Sequence, residues 1–244
     1  MKLYLAASHS RQYMAEWADA LYVLESFYYV ADWHVKMMRR WKGFLLDSGA
    51  FSFMTGTAGK TDFEDYTRRY AEFVGKHDIE YFFELDIDAV VGLAEVERLR
   101  GILERETGRR CIPVWHKSRG KQYFLDMCKE YAYVAIGGLV VKDIRPEEYV
   151  YLKWFTAQAR KRGVRVHGLG FTGKDAETYG FYSVDSTSWL SGARFGHLYR
   201  FDGRRIVEVK KSNTLRLADY RKGDRHNISQ WILYQKFLDA KGVE

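Results

Sequence analysis

Short apolar runs alternate along the chain with longer stretches in which apolar residues recur every three or four positions. The runs are Leu3–Ala6, Phe44–Asp47, Tyr81–Asp88, Cys111–Trp115, Tyr133–Gly138, Val164–Gly168 and Tyr182–Asp185, and each reads as a strand. Between them, Phe63 to Lys76 carries Phe63, Tyr66, Tyr70 and Phe73, and Leu93 to Arg105 carries Leu93, Val96, Leu99 and Leu103. That spacing predicts helices with one apolar face. A repeated β-α alternation specifies a parallel sheet covered by helices. At 244 residues it fits a (β/α)8 TIM-like barrel, with an open doubly wound sheet as the other architecture of the same pattern. The eighth strand has no distinct run and is expected to be irregular. His197 to Lys210, with Asp202-Gly203 between alternating apolar positions, reads as a hairpin, and Ile228 to Lys241 as a closing helix. No linker or internal repeat interrupts the pattern, so residues 1–244 read as one domain.

Composition narrows the class. Hydrophobic residues make up 47% and aromatics 16%, enough for a sizeable core, so disordered and collagen-like readings are excluded. No apolar run reaches the roughly 18 residues of a membrane span. The N-terminal apolar stretch meets the polar residues Ser8 to Arg11 too early for a secretory signal, so a cytoplasmic protein is expected. Two cysteines, Cys111 and Cys128, build neither a disulfide framework nor a four-cysteine zinc site. The net charge is +7, and residues 194 to 225 hold ten Lys or Arg against four Asp or Glu. Arg194, Arg200, Arg204, Arg205, Lys210 and Lys211 lie there with Tyr199, Phe201 and Tyr220 interleaved, a pattern suited to a phosphate backbone and to base stacking. A solvated basic face has the same composition.

In parallel α/β folds the strand C-terminal ends build the site. Here they carry Asp47-Ser48-Gly49-Ala50-Phe51, Glu84-Leu85-Asp86-Ile87-Asp88, His116, Gly137-Gly138, His167-Gly168-Leu169-Gly170 and Asp185-Ser186-Thr187. Period-two alternation puts Glu84, Asp86 and Asp88 on one strand face. Three carboxylates are not buried together without partners, so they lie at a wet mouth or are paired with Arg or Lys. Asp47 and Asp185 also fit turn-capping roles, Gly137-Gly138 a tight packing corner, and the two histidines ordinary hydrogen-bonding positions. No Walker, HExxH or GxGxxG segment is present.

The ordered strand ends resemble the tRNA-guanine transglycosylases and their phage DNA-modifying relatives. Asp47-Ser48-Gly49-Ala50-Phe51 is similar to that family's Asp-Ser-Gly-Gly-Phe-Gln, and Ala135-Ile136-Gly137-Gly138-Leu139 to its Ala-Ile-Gly-Gly-Leu. Asp185-Ser186-Thr187-Ser188-Trp189 is similar to an archaeal Asp-Ser-Ala-Ser-Tyr run, with Asp86 and His167 to Gly170 in order between them. The resemblance covers residues 44 to 189. It implies a (β/α)-barrel that exchanges guanine for a 7-deazaguanine such as preQ0, with Asp185 as the nucleophile on C1′ and Asp47 as the acid/base. It implies that Asp86 reads the base edge with Ser48, Gly49 and Phe51 nearby. It places Gly137, Gly138 and Leu139 at the purine carbonyl and His167, Gly168 and Gly170 bordering base or ribose. His116 falls near a family glutamine. No metal or redox cofactor is required by this chemistry.

The chain departs from the tRNA enzymes in having no cysteine after Cys128, where they carry a three-cysteine, one-histidine zinc subdomain that helps hold tRNA and form a dimer. That difference, with Ala50, Ser52 and Val184, points to the compact phage type. The expectation is a DNA-guanine transglycosylase, monomeric, taking a free base and DNA as partners. Action on tRNA, a plain N-glycosidase and a barrel that only binds nucleic acid are the alternatives.

Overall fold

The computed structural model describes residues 1–54, 61–171, 175–190, 197–209 and 220–241, apart from the side chains of Phe51, Met54 and Tyr220. Seven parallel strands form one sheet: β1 (Lys2–Ala6), β2 (Tyr22–Ser26), β3 (Gly43–Asp47), β4 (Val114–Trp115), β5 (Tyr133–Ile136), β6 (Arg165–Gly168) and β7 (Ser183–Ser186). Their spatial order is β3-β2-β1-β7-β6-β5-β4. Alternate residues face two environments, as the strand period requires. Tyr4, Ala6, Tyr22, Leu24, Leu45, Phe83, Ile112, Val114, Tyr133 and Ala135 form one cluster inside the curl of the sheet. Leu3, Leu5, Val23, Val134, Ile136, Val166 and Val184 pack on the other face beneath helices. Strands buried on both faces account for their near-continuous apolar sequences.

The helices are α1 (Asp32–Met37), α2 (Ala50–Met54), α3 (Phe63–His77), α4 (Asp88–Val91), α5 (Leu93–Thr107), α6 (Gly120–Glu130), α7 (Leu152–Arg160) and α8 (Tyr220–Ala240). Helix α3 starts where Asp62 accepts from the Glu64 and Asp65 N–H groups, and stops at Asp78 in the left-handed region. It buries Tyr66, Tyr70 and Val74 from the expected face. Helix α8 runs along the outside of β1: Asp224 accepts from Arg11 and Tyr13, and Gln235 accepts from the Leu3 N–H. The expected hairpin is β8 (Leu198–Phe201) against β9 (Ile206–Val209), antiparallel, with Asp202 accepting from the Arg204 and Arg205 N–H groups in the turn. Its strand β8 lies on α8, where Asn227 and Gln230 accept from the Tyr199 and Phe201 N–H groups.

The sheet corrects two expectations. Strand β2 was not visible as an apolar run, and Tyr81–Asp88 is not a strand. That segment makes two single parallel bridges, Leu46 with Phe82 and Phe83 with Ile112, and then leaves the pleat. The reason lies in its acids. Glu84 turns to Arg100, Arg119 and the Val114 N–H, and a helical turn begins at Asp88. The regular sheet is therefore seven-stranded, compatible with a TIM-like fold but not a full eight-stranded barrel.

Candidate active site at the strand ends

Asp47 closes β3, its Oδ2 accepting from the Gly49 N–H at 3.0 Å. Gly49 has φ 88°, and a Cβ there would stand 2.9 Å from Tyr28 Cβ and from the Tyr66 hydroxyl, so the turn requires glycine on both counts. The same Tyr66 hydroxyl donates to the Ser48 carbonyl at 2.7 Å, clamping the turn onto α3. Burial first, then the charge of Asp86 and those of Asp185 and Glu25, push the Asp47 carboxyl up to about 7 against the pull of the Gly49 N–H. Asp47 is thus poised between its neutral and charged forms, and the charges of three other carboxylates, two of them on strands β2 and β7 and one on the segment 81–88, all reach it.

Asp185, on β7 and buried, is held differently. Its Oδ1 accepts from the Gly170 N–H at 2.6 Å and lies 3.2 Å from His167 Nε2. Gly170 has φ 68°, and a Cβ there would collide with Val140, so the loop after β6 presses on the loop after β5. His167 is fully buried, with Nδ1 2.6 Å from Ser183 Oγ.

Asp86 is buried and pairs with His116, Oδ2 to Nε2 3.1 Å. Burial would lower the His116 pKa, but the hydrogen bond and charge of Asp86, with the charge of Asp88, outweigh it and raise it. Gly137 makes room for that ring: a Cβ there would lie 2.6 Å from His116 Cε1. The Gly138 carbonyl accepts from the Asp143 and Ile144 N–H groups, Leu139 is buried in the outer core, and Gly168 packs against Phe171 and Phe181. Ser48 is buried, and among the described residues its Oγ has no hydrogen-bond partner.

Glu84 stands apart. It is fully buried and bonded to Arg100, Arg119 and the Val114 N–H, and Arg119 also holds Asp88 at 3.1 Å. These are structural ion pairs. Asp47, Asp86, Asp185, His116 and His167 are the candidate site residues, linked by the Asp86–His116 and Asp185–His167 contacts and by the charges of Asp86 and Asp185 on Asp47. Arg200, Arg204 and Arg205 are exposed on the hairpin, where Arg204 pairs with Asp175 and Arg205 with Asp202. Arg194, Lys210, Lys211 and the Phe51 side chain lie outside the described residues.

Sequence reasoning missed Glu25, on the unrecognised β2. It is buried, with Oε2 2.8 Å from Ser8 Oγ and 3.1 Å from His34 Nε2. Because the His34 Nδ1 accepts from the Ala31 N–H, this histidine presents a proton to Glu25 and is no base toward Ser8. A hydrolytic triad is therefore not formed there. Sequence reasoning also missed Ser183 and Tyr133, whose alternation with Asp185 and Ala135 would have placed them on the inner face.

No family model and no curated protein matches the chain. Among solved structures it is similar to the carboxyl transferase domain of Rhizobium etli pyruvate carboxylase with 3-bromopyruvate, at TM-score 0.48 and 12% identity, over 97% of this chain and 48% of that one. The same domain with pyruvate gives TM-score 0.49 and 12% identity over 97% and 48%. The chain spans about half the length of those chains. Among the described residues, no helix is long and apolar enough to cross a membrane.

Proposed function

We propose that the protein is a base-exchange transglycosylase that replaces guanine in DNA with a free 7-deazaguanine, working from an eight-segment barrel in which residues 81–84 stand in for the fourth strand. The observation that carries this reading is the unequal treatment of two carboxylates. Asp185 is anchored through one oxygen, which accepts from the Gly170 N–H and lies against His167 Nε2, so the carboxylate is held in place for attack as a nucleophile. Asp47 is pushed up to about 7, which favours a proton donor. Asp185 attacks C1′ as the C1′–N9 bond breaks, and the bonding pair leaves with guanine, which takes the Asp47 proton. In the second half, N9 of the incoming base attacks C1′, its proton goes to the Asp47 carboxylate, and the ester oxygen departs as the Asp185 carboxylate. Atoms and charge balance over the cycle, and two displacements give net retention.

The target base must leave the stack to expose C1′. Beside the Asp47 turn, the exposed rings of His9, Tyr28 and Tyr29 form a continuous step, with His9 stacked on Tyr29 at 5.0 Å and Tyr28 set edge-on to Tyr29 at 4.9 Å. Such rings suit the neighbouring bases of an opened strand. The test is incorporation of labelled guanine or preQ0 into duplex DNA and into tRNA. Label in DNA supports the reading, label in tRNA alone makes the substrate tRNA, and abasic DNA without label makes the protein an N-glycosidase.

A further inference from the structure

His167 has two ring nitrogens and, in its buried position between Tyr4 and Phe83, two side-chain partners: Asp185 Oδ1 at Nε2 and Ser183 Oγ at Nδ1. An ionised carboxylate only accepts, so a neutral ring facing Asp185 must carry its proton on Nε2. Nδ1 is then an acceptor and takes the Ser183 hydroxyl proton. The Ser183 oxygen is 2.5 Å from the Tyr133 hydroxyl and is left to accept from it. Burial first holds the Tyr133 phenol above its ordinary pKa, so its proton stays in place as a donor. Every bond in the line runs one way, from Tyr133 to Ser183 to His167 to Asp185. At its end Oδ1 is occupied by His167 and the Gly170 N–H, while Oδ2 has no hydrogen bond among the described residues.

We propose that Tyr133 and Ser183 are positioning residues that lock His167 as the Nε2–H tautomer, so that Asp185 is gripped through Oδ1 and presents Oδ2 as its reactive oxygen. What Oδ2 attacks rests on the base-exchange reading; the tautomer rests on the bonding geometry alone. A lost or reversed bond at Nδ1 lets the proton move there, which turns the Nε2 lone pair toward the Asp185 carboxylate and releases it.

The experiment is nitrogen-15 NMR of the full chain labelled at histidine, with His167 assigned by comparison with His167→Gln. The wild type is expected to give one neutral ring, protonated at Nε2. Ser183→Ala is expected to move the proton to Nδ1 or mix the tautomers. Tyr133→Phe, which keeps the ring packing, is expected to shift the Nδ1 signal in the same direction by less. In parallel, labelled-base exchange should fall on the order of 10- to 100-fold in Ser183→Ala, with the KM for the free base little changed. A wild-type ring protonated at Nδ1 or at both nitrogens, or a Ser183→Ala spectrum unchanged at His167, overturns the relay even if exchange is measured. The expected spectra in a protein that exchanges no base uphold the relay and overturn only the base-exchange reading.

Discussion

At the N-terminal end of the sheet, the Arg165 guanidinium sits 5.6, 5.3 and 5.2 Å from the ring centroids of Tyr81, Tyr133 and Tyr182, and Lys2 lies over Tyr22 and Tyr182. At the C-terminal end, Asp47, Asp86, Asp185 and Glu25 crowd together, and the charges of the other three all raise Asp47. The same strands thus finish in cation-π contacts at one end and, around Asp47, in carboxylate repulsion at the other. Burial would raise the Tyr182 phenol, yet the cations Lys2 and Arg165 hold it below its ordinary pKa. The charges that raise Asp47 are those of carboxylates, and the group that pulls the other way is the Gly49 backbone N–H. An end whose charges answer each other closes a fold, whereas an end whose charges oppose each other stores electrostatic energy that a substrate can use.

The contrast breaks most sharply at Asp185. Asp185→Ala should lower base exchange by about 10⁴-fold or more while the chain stays folded, measured as label incorporation beside a circular dichroism melt. Asp47→Asn should lower exchange by about 10²–10³-fold. It should also change the pH dependence of stability. Asp47 holds its proton to about pH 7 when folded and gives it up near 3.8 when unfolded, so the native state binds the extra proton between those values. Its contribution is full at low pH and is lost as pH rises through about 7, by no more than about 4 kcal/mol. Urea titrations from pH 5 to 8 should show a stability fall in the wild type that Asp47→Asn lacks.

Arg119 sharpens the contrast between paired and unpaired acids. Arg119→Met leaves Glu84 and Asp88 without that partner, and the urea midpoint should drop by the equivalent of about 3–5 kcal/mol. The smallest effect belongs to the basic end: Lys2→Ala should cost about 0.5–1 kcal/mol and leave base exchange unchanged.

The sequence displayed more of the candidate site than of the sheet. Asp47, Asp86, His116, His167 and Asp185 were each legible as polar residues ending an apolar run, because a parallel sheet places all its strand C-termini on one side. Strand β2 escaped notice because Tyr22–Leu24 is a short run buried on both faces that ends in Glu25, a charged residue whose partners, Ser8 and His34, come from separate segments. Alternation failed at Tyr81–Asp88 for a related reason. The period-two rule assumes a ladder, and here arginines from α5 and the turn after β4 decide where Glu84 and Asp88 point. Gly137 and Gly138 read from sequence as room for a ligand or as a packing corner; Gly137 is spaced for the His116 ring. The basic stretch overstated its charge, since Arg204 and Arg225 have acidic neighbours at 175 and 16, outside the stretch, that only the fold brings to them.

The most direct measurement of the division between Asp47 and Asp185 is acid-quenched intact-mass and peptide analysis of the protein mixed with guanine-containing duplex DNA. A DNA-linked species whose glycosyl bond maps to Asp185, absent in Asp185→Ala and formed more slowly in Asp47→Asn, is the expected result. A link at any other residue, or turnover of the DNA base with no link at all, would contradict it.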